Sequence, residues 1–338
     1  MKIEKNKSLK SYNTFGIDAK AEYFVNLNTN EEIISFLKKD EFKDLNKLIL
    51  GGGSNILFTK DFDGIVLKIN NKGIDIVNED ENYIYIKAKA GENWEEFVNF
   101  CIENNYAGIE NLSMIPGNVG AASIQNIGAY GVELKDVFFE LEAINIESGE
   151  IKTFSKEDCK FGYRYSIFKD ALKNRYIILS VILRLNKHAI LKIKYGSIQQ
   201  ELEKMGVEKV DIKAIGKAVC NIRSSKLPAP EKIGNAGSFF KNPVISSELH
   251  KKVKQKFSDL VAYKTDEGNF KLAAGWLIEQ SGWKGKQLGS AGVHNEQALV
   301  LINLGNAKGT EILNLAQEIQ KSVFEKFGIN LEMEVNVI

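Results

Sequence analysis

Two glycine-rich segments and a few isolated polar residues carry what chemistry this sequence offers. Gly51-Gly52-Gly53-Ser54-Asn55 follows the apolar stretch Leu48-Ile49-Leu50. Glycines leave backbone N–H groups unscreened, so the segment is either a nest for phosphate oxygens or a plain tight turn. It is not a dinucleotide fingerprint of the Rossmann kind, because Ile56 stands at the third glycine position and no helical pattern follows. The second segment runs from Ile115 to Gly131 and places Pro116, Gly117, Gly120, Ala122, Gln125, Asn126 and Gly128 among small residues. It is too rich in glycine for a core strand and too apolar for a surface linker. Its backbone suits a flat or phosphorylated ligand, with Gln125 and Asn126 offering directional hydrogen bonds.

The isolated residues are Arg164, Ser238 and the pair Glu332 and Glu334. Arg164 lies among aromatics in Phe161-Gly162-Tyr163-Arg164-Tyr165, where an arginine stacks, binds an anion or forms a structural ion pair. Ser238 follows a glycine in Gly234-Asn235-Ala236-Gly237-Ser238-Phe239-Phe240-Lys241-Asn242-Pro243. With no nearby histidine and no G-x-S-x-G elbow, a hydrolase triad has little support. Glu332 and Glu334 alternate with Leu331, Met333 and Val335; if the apolar residues face the core, both glutamates are merely solvated. Cys101, Cys159, Cys220 and His188, His250, His294 are scattered without metal-ligand spacing, so no metal is expected, and the sparse cysteines suit a reducing compartment.

The elements that must position these residues read as a mixture. Thr29-Asn30-Glu31-Glu32 opens a helix expected to turn Ile33, Ile34 and Leu37 inward. Tyr83 to Ala90 alternates as a half-buried strand, and Asn93 caps a helix with Trp94, Phe97, Val98, Cys101 and Ile102 on one face. Val137 to Ile146 reverses at Ser148-Gly149 as a hairpin, and Tyr176 to Leu185 is a further strand. Later, Leu249, Val253 and Phe257 mark a helix whose lysine run is a solvated face. Gln297 to Ile302 reads as a strand, and a long helix after Thr310 stops at Gly328. Strands and helices mix without regular βαβ alternation, which makes the class α+β.

Composition sets the outer limits. The chain has 338 residues, 44% hydrophobic and 26% charged, enough for two or three ordinary globular domains. Lys+Arg is 45 against Asp+Glu 44, so no cationic field draws it to nucleic acid or to an acidic membrane. No apolar run approaches the roughly 18 residues of a membrane span, and the start has no signal-peptide pattern. The expectation is a cytoplasmic protein. Pro228, Pro230 and Pro243 cluster around the Gly234–Gly237 run, which puts a domain boundary near residue 228.

Taken in order, the motifs resemble the UDP-N-acetylenolpyruvoylglucosamine reductases, flavoenzymes of bacterial cell-wall precursor synthesis. The resemblance runs from Tyr12-Asn13-Thr14-Phe15-Gly16-Ile17 to Glu334. It takes in the Gly51–Asn55 turn, Gly91-Glu92-Asn93-Trp94, the Ile115–Gly131 run and Phe161-Gly162-Tyr163-Arg164 with Ser166-Ile167-Phe168-Lys169. It continues through Arg223 and Lys226-Leu227-Pro228 to Asn235–Pro243. The fold so implied is a two-part FAD-binding region of the vanillyl-alcohol-oxidase (PCMH) type plus a smaller α+β substrate domain. Residues 1–70 and 71–227 would form the two parts, with 329–338 completing the second, and 228–328 the substrate domain.

The same resemblance implies the roles. FAD would lie against Gly51, Gly52, Gly53, Ser54, Asn55, Pro116, Gly117, Gly120, Ala122, Gln125, Asn126 and Gly128. NADPH would reduce it and leave before the enolpyruvyl UDP-sugar enters the same pocket. Arg164 and Glu334 would bind and polarise the substrate carboxylate, and Ser238 would donate the proton. Tyr195, the loop tyrosine of the longer family subtype, would fold over the substrate, and Lys226, Asn242 and Gln297 would hold the UDP-sugar. Small molecules are the implied partners, with no nucleic acid, membrane or obligate protein partner. Ser123 stands where the family often has proline, Ala121 and Ala122 where some members have serine, and Ala229 where an acidic residue is common. Another FAD oxidase of the same fold, or a non-catalytic flavin or UDP-sugar sensor, are the competing readings.

Overall fold

Alternation along Tyr83–Lys89 builds the centre of the first part of the molecule: Ile84, Ile86 and Ala88 are buried and the residues between them are half-exposed. This strand pairs antiparallel with Tyr176–Asn186, which pairs with Phe138–Asn145, which turns into Ile151–Ser155 with Ile144 opposite Ile151. Ile74–Glu79 closes the other edge of this five-stranded sheet. The structure, a computed structural model, describes residues 1–195, 197–265 and 267–338. Contacts divide it into two units: Met1–Lys7, Ala21–Gly53 and Phe62–Ser225, and Ser8–Lys20, Ser54–Asp61 and Lys226–Ile338.

The first unit holds a second sheet in the order Ile3–Ser8, Lys20–Leu27, Phe62–Ile69, Lys47–Leu50, in which Phe62–Ile69 runs parallel to both neighbours. The helix Asn30–Leu37 makes one crossover; its cap is Thr29, whose hydroxyl accepts from Glu32 N at 3.2 Å. The sequence points Ile33, Ile34 and Leu37 inward; Ile33 is fully buried, Ile34 and Leu37 pack partly buried against the core, and Phe36 joins Ile33 at full burial. Phe36 takes that place by stacking on Phe42, with ring centroids 5.7 Å apart. Asn93 caps Trp94–Glu103 as its spacing predicts, accepting from Glu96 N at 3.1 Å, and Trp94, Phe97, Val98 and Cys101 pack into the core.

One element has no periodic signal in the sequence. Val119–Ile124, inside the glycine-rich run, is a short helix. Its packing depends on size: a methyl on Gly120 would stand 2.6 Å from Ala90 Cβ.

In the second unit, Gly234–Ser238, Val300–Asn303, Ala291–Val293 and Gln287–Leu288 form an antiparallel sheet. The long helix Gly309–Phe327 buries Ile312, Leu315, Ala316, Ile319 and Val323 and stops at Gly328, which takes φ +67°. The strand expected from Gln297 begins only at Val300, because Val300 N bonds back to Gln297 O and closes a turn. The Tyr12–Ile17 motif also belongs here. Asn13 is buried and ties Leu9 and Ile17 through both donors and its oxygen, and Asn235 N donates to Thr14 O at 3.0 Å.

The expected strand Leu331–Val335 reduces to one bridge, Met333 opposite Phe240, followed by Asn336–Val337 paired parallel with Ile56–Leu57. Residues 329–338 group with 54–61 in the second unit. Among the described residues, no helix is long and apolar enough to cross a membrane.

Candidate active site

The two glycine segments meet inside the first unit. A methyl on Gly52 would lie 2.8 Å from Gly117 Cα and 2.9 Å from Asn118 Oδ1, so backbone packs on backbone with no room for a side chain. Gly117, at φ +126°, and Gly53, at φ +68°, hold conformations that glycine alone adopts readily. Asn118 fixes the second segment by donating to the Gly91 carbonyl. Beneath the first, Lys68 Nζ donates to Gly51 O at 2.6 Å. Burial, with a smaller contribution from Lys72, pushes the Lys68 amine down to about 8. Motif and spacing did not single out Lys68; the available signal was a lysine inside the otherwise apolar Ile65–Ile69 run.

This arrangement suits an FAD diphosphate. Bare backbone allows close approach, and a desolvated ammonium lies below it. Ala122 is buried on the inner side of its helix, so the backbone is what it offers. Ser123 is fully buried, and among the described residues its hydroxyl has no hydrogen-bond partner.

Asn126 also links segments of the protein. It is fully buried; Nδ2 donates to Gly162 O at 2.9 Å and to Glu133 Oε2 at 3.2 Å, while Oδ1 accepts from Lys135 N at 2.9 Å. It ties the Gly162 turn to the segment after Gly131 and so builds the seat of Arg164. From that seat Arg164 Nη2 donates to Gly128 O at 2.6 Å, and its guanidinium carbon lies 5.4 Å from the Tyr163 ring centre. Arg164 (φ +53°), Tyr130 (φ +49°) and Asn126 (φ +46°) are all left-handed. Asparagine tolerates this; for Arg164 and Tyr130 it stores about 1–3 kcal/mol each, as functional sites often do. Tyr195 lies against this group, since a methyl on Gly131 would stand 3.1 Å from its Cβ.

The second unit brings Ser238 and Glu334 onto neighbouring segments. Ser238 ends its strand after Gly237 (φ +67°), and a register break between Asn235 and Ser238 turns the chain there. Phe239 and Phe240, both buried, anchor the chain just beyond the serine. Glu334 N donates to Phe239 O at 2.8 Å and Lys241 N to Glu332 O at 2.9 Å, which fixes the register on both sides of the Phe240–Met333 bridge. Asn55 Nδ2 donates to Glu334 O at 3.3 Å, so a residue of the first glycine turn holds the glutamate's backbone.

The two glutamates part company at this point. The Glu332 side chain is 71% exposed and pairs with Lys241, whereas Glu334 is half-buried. Asn242 Oδ1 accepts from Ala274 N at 2.9 Å; Gln297 Oε1 accepts from Leu299 N at 3.3 Å and lies 3.1 Å from where a Gly275 methyl would be. Both amides thus flank the start of helix Ala274–Gln280. Lys226 ends helix Ile212–Lys226 and is exposed. Residues 51–53, 116–131, 164 and 195 therefore gather in one unit, and 54, 55, 226, 238, 242, 297 and 334 in the other.

Comparison with known proteins accounts for most of the chain. Residues 229–338 match the family described as "UDP-N-acetylenolpyruvoylglucosamine reductase, C-terminal domain", and residues 21–155 match an "FAD binding domain". A UDP-N-acetylenolpyruvoylglucosamine reductase of Flavobacterium johnsoniae is 51% identical over 340 residues, covering 100% of both chains. Proteins of the same name from Amoebophilus asiaticus and Pseudomonas savastanoi pv. phaseolicola are 51% and 48% identical, covering 100% of this chain and 100% and 99% of theirs. The crystal structure of the Thermus caldophilus reductase has the same fold, with TM-score 0.70 at 24% identity, covering 100% of this chain and 99% of that one. The chain belongs to the UDP-N-acetylenolpyruvoylglucosamine reductase family: it is an FAD-dependent oxidoreductase of α+β class, with an FAD-binding domain followed by the family's C-terminal domain.

Proposed function

We propose that this chain reduces the enolpyruvyl group of UDP-N-acetylglucosamine enolpyruvate to the lactyl ether of UDP-N-acetylmuramate. NADPH is the reductant, in a ping-pong cycle in which it leaves before the sugar binds. The observation that supports the reading is that Ser238 and Glu334 lie on paired segments, Glu334 N donating to the carbonyl of Phe239 and Asn55 Nδ2 to the carbonyl of Glu334. FAD, when bound, supplies the two-electron chemistry that links NADPH oxidation to reduction of the vinyl group.

The protein's own part is charge and proton management. Hydride added to the vinyl carbon distal to the carboxylate builds negative charge on its neighbour, delocalised onto the carboxylate as an enolate. Arg164 meets that charge, an interaction of the oxyanion-hole kind worth about 2.7–4 kcal/mol. Its hydrogen bond to Gly128 O and its strained backbone hold it in place before substrate arrives. Glu334 orients the same carboxylate; the two repel unless one carries a proton or Arg164 screens both. Ser238 donates its hydroxyl proton to the α-carbon, for which an enolate is basic enough, and its exposure in this unit lets solvent restore the proton. Tyr195, Lys226, Asn242 and Gln297 bind the UDP-sugar. Backbone N–H groups already occupy the oxygens of both amides, which leaves the amide hydrogens for a phosphate or a uracil carbonyl. A nucleotide-sugar substrate places the reaction in the bacterial cytoplasm.

An anaerobic absorbance titration of the FAD-loaded protein tests this reading. NADPH bleaches the flavin, and the enolpyruvyl UDP-sugar restores its colour. Bleaching without recovery points to a different oxidant on the same fold. Absence of flavin binding overturns the assignment.

A further inference from the structure

Asn111 is fully buried in the turn Glu110–Leu112, and both hydrogens of its side-chain amide are engaged by carbonyls of two separate segments. Nδ2 donates to Tyr130 O at 3.0 Å and to Lys192 O at 2.9 Å. The turn is itself fixed: Gly108 N donates to Glu110 Oε2 at 2.7 Å, Ser113 Oγ to Glu110 O at 2.7 Å, and Trp94 Nε1 to Leu112 O at 3.0 Å. Tyr130 leads into Gly131, against which Tyr195 rests, and Lys192 begins the last stretch of chain before Tyr195. One rigid amide therefore holds both the surface under Tyr195 and the segment that carries it.

The chemistry selects asparagine. Two carbonyls approaching from different segments need two donors on one short planar group. Aspartate would present lone pairs to both, and leucine would leave both without a donor. A flipped amide is excluded on the same ground. Among the described residues Asn111 Oδ1 has no hydrogen-bond partner, so the site tolerates a buried unmatched acceptor in order to keep the two donors. Elsewhere the segment is held by half-buried Leu191 and Ile193 against the cluster around Ile198 and Ile215, and by the partly exposed ion pair of Lys192 with Asp136 at 3.2 Å.

We propose that Asn111 is a positioning residue for Tyr195, pinning the base of the tyrosine's segment to the Tyr130–Gly131 turn so that the ring is presented to the nucleotide-sugar from a fixed place. The inference rests on the reading of Tyr195 as a substrate contact. Asn111→Asp, nearly unchanged in volume, should raise the sugar KM about tenfold with kcat little altered, as expected for losing buried hydrogen bonds remote from the reacting atoms. Backbone hydrogen exchange over 188–195 should quicken about tenfold, while exchange over 45–53 stays as in the parent. In a Tyr195→Ala background, Asn111→Asp should change the sugar KM no further. Additive effects, or unchanged exchange over 188–195, overturn the pin. A parent-like sugar KM in Tyr195→Ala alone instead overturns the reading of Tyr195, and with it the functional half of the inference. If Asn111→Asp does not fold, the parent protein labelled with [15N]asparagine decides: protected Asn111 amide protons that shift as the sugar saturates support the pin, and freely exchanging ones overturn it.

Discussion

Arg164 reaches the carbonyl of Gly128 with its guanidinium at 2.6 Å, from a backbone held left-handed at φ +53°. The bond spans two motifs that lie far apart in sequence, and it exists because the glycine leaves room for it. A methyl on Gly128 would stand 3.1 Å from Arg164 Nη1, 2.9 Å from Glu133 Cγ and 3.0 Å from Val132 O. The glycine thus acts on the arginine's position as well as on the backbone.

Gly128→Ala should displace the guanidinium while leaving the Gly51–Gly53 surface intact. The expected result is flavin re-oxidation by the enolpyruvyl sugar slowed on the order of 100-fold, the loss typical of one misplaced transition-state donor. Because Gly128 also belongs to the expected FAD surface, FAD affinity is measured separately by fluorescence titration. Stopped-flow absorbance of the pre-reduced protein reads the rate.

Ser238→Ala separates the half-reactions. Losing the proton donor should slow re-oxidation by the sugar roughly 100-fold or more, whereas reduction by NADPH should hardly change. Equal losses in both halves, measured under anaerobic single-turnover conditions, would contradict the assignment of Ser238 as proton donor.

Gly52→Ala acts on cofactor binding. Its methyl cannot fit 2.8 Å from Gly117 Cα, so the two glycine segments must part. We expect about 1–3 kcal/mol of lost stability, the usual range for overpacking, together with weakened FAD binding. Thermal unfolding of the FAD-free protein and an FAD titration measure the two effects separately.

Lys68 gives a pH signature. Burial holds its folded pKa at about 8, below the ordinary lysine value of 10.5. Between those values the unfolded chain binds the proton more strongly than the folded one, so this group makes stability rise as pH climbs from about 8 towards 10.5. Below pH 8 the amine is charged in both states and its contribution is flat. Lys68→Met should remove the rise: the Tm difference, parent minus variant, should grow between pH 7.5 and pH 10. A difference that is constant with pH would show that Lys68 is not desolvated.

Much of the scaffold was legible because its signals are local. Asn93 and Thr29 cap the helices their side chains announce, Tyr83–Lys89 buries its alternate residues, and Gly328 stops the last helix in the left-handed conformation that glycine permits. Val119–Ile124 was illegible because small residues carry no apolar periodicity; its helix depends on Gly120 fitting against Ala90, far away in sequence. The full burial of Phe36, which the helix pattern did not include, depended on Phe42, outside the helix.

The site divides along the same line. The residue types and their order, Gly51–Asn55, Ile115–Gly131, Arg164, Ser238 and Glu334, were determined by the sequence alone, and with them the family. Uses of individual side chains were not. Asn126 has the groups of a ligand-binding amide, and among the described residues its side chain makes three hydrogen bonds within the protein. Glu332 and Glu334 are equivalent by alternation; in the fold Glu332 is exposed and pairs with Lys241, while Glu334 is half-buried and bonded through its backbone to Phe239 and Asn55. Periodicity, caps and glycines act through neighbours a few residues away and can be read from the chain. Which amide is satisfied internally, and which carboxylate finds a lysine, depends on groups that meet only after folding.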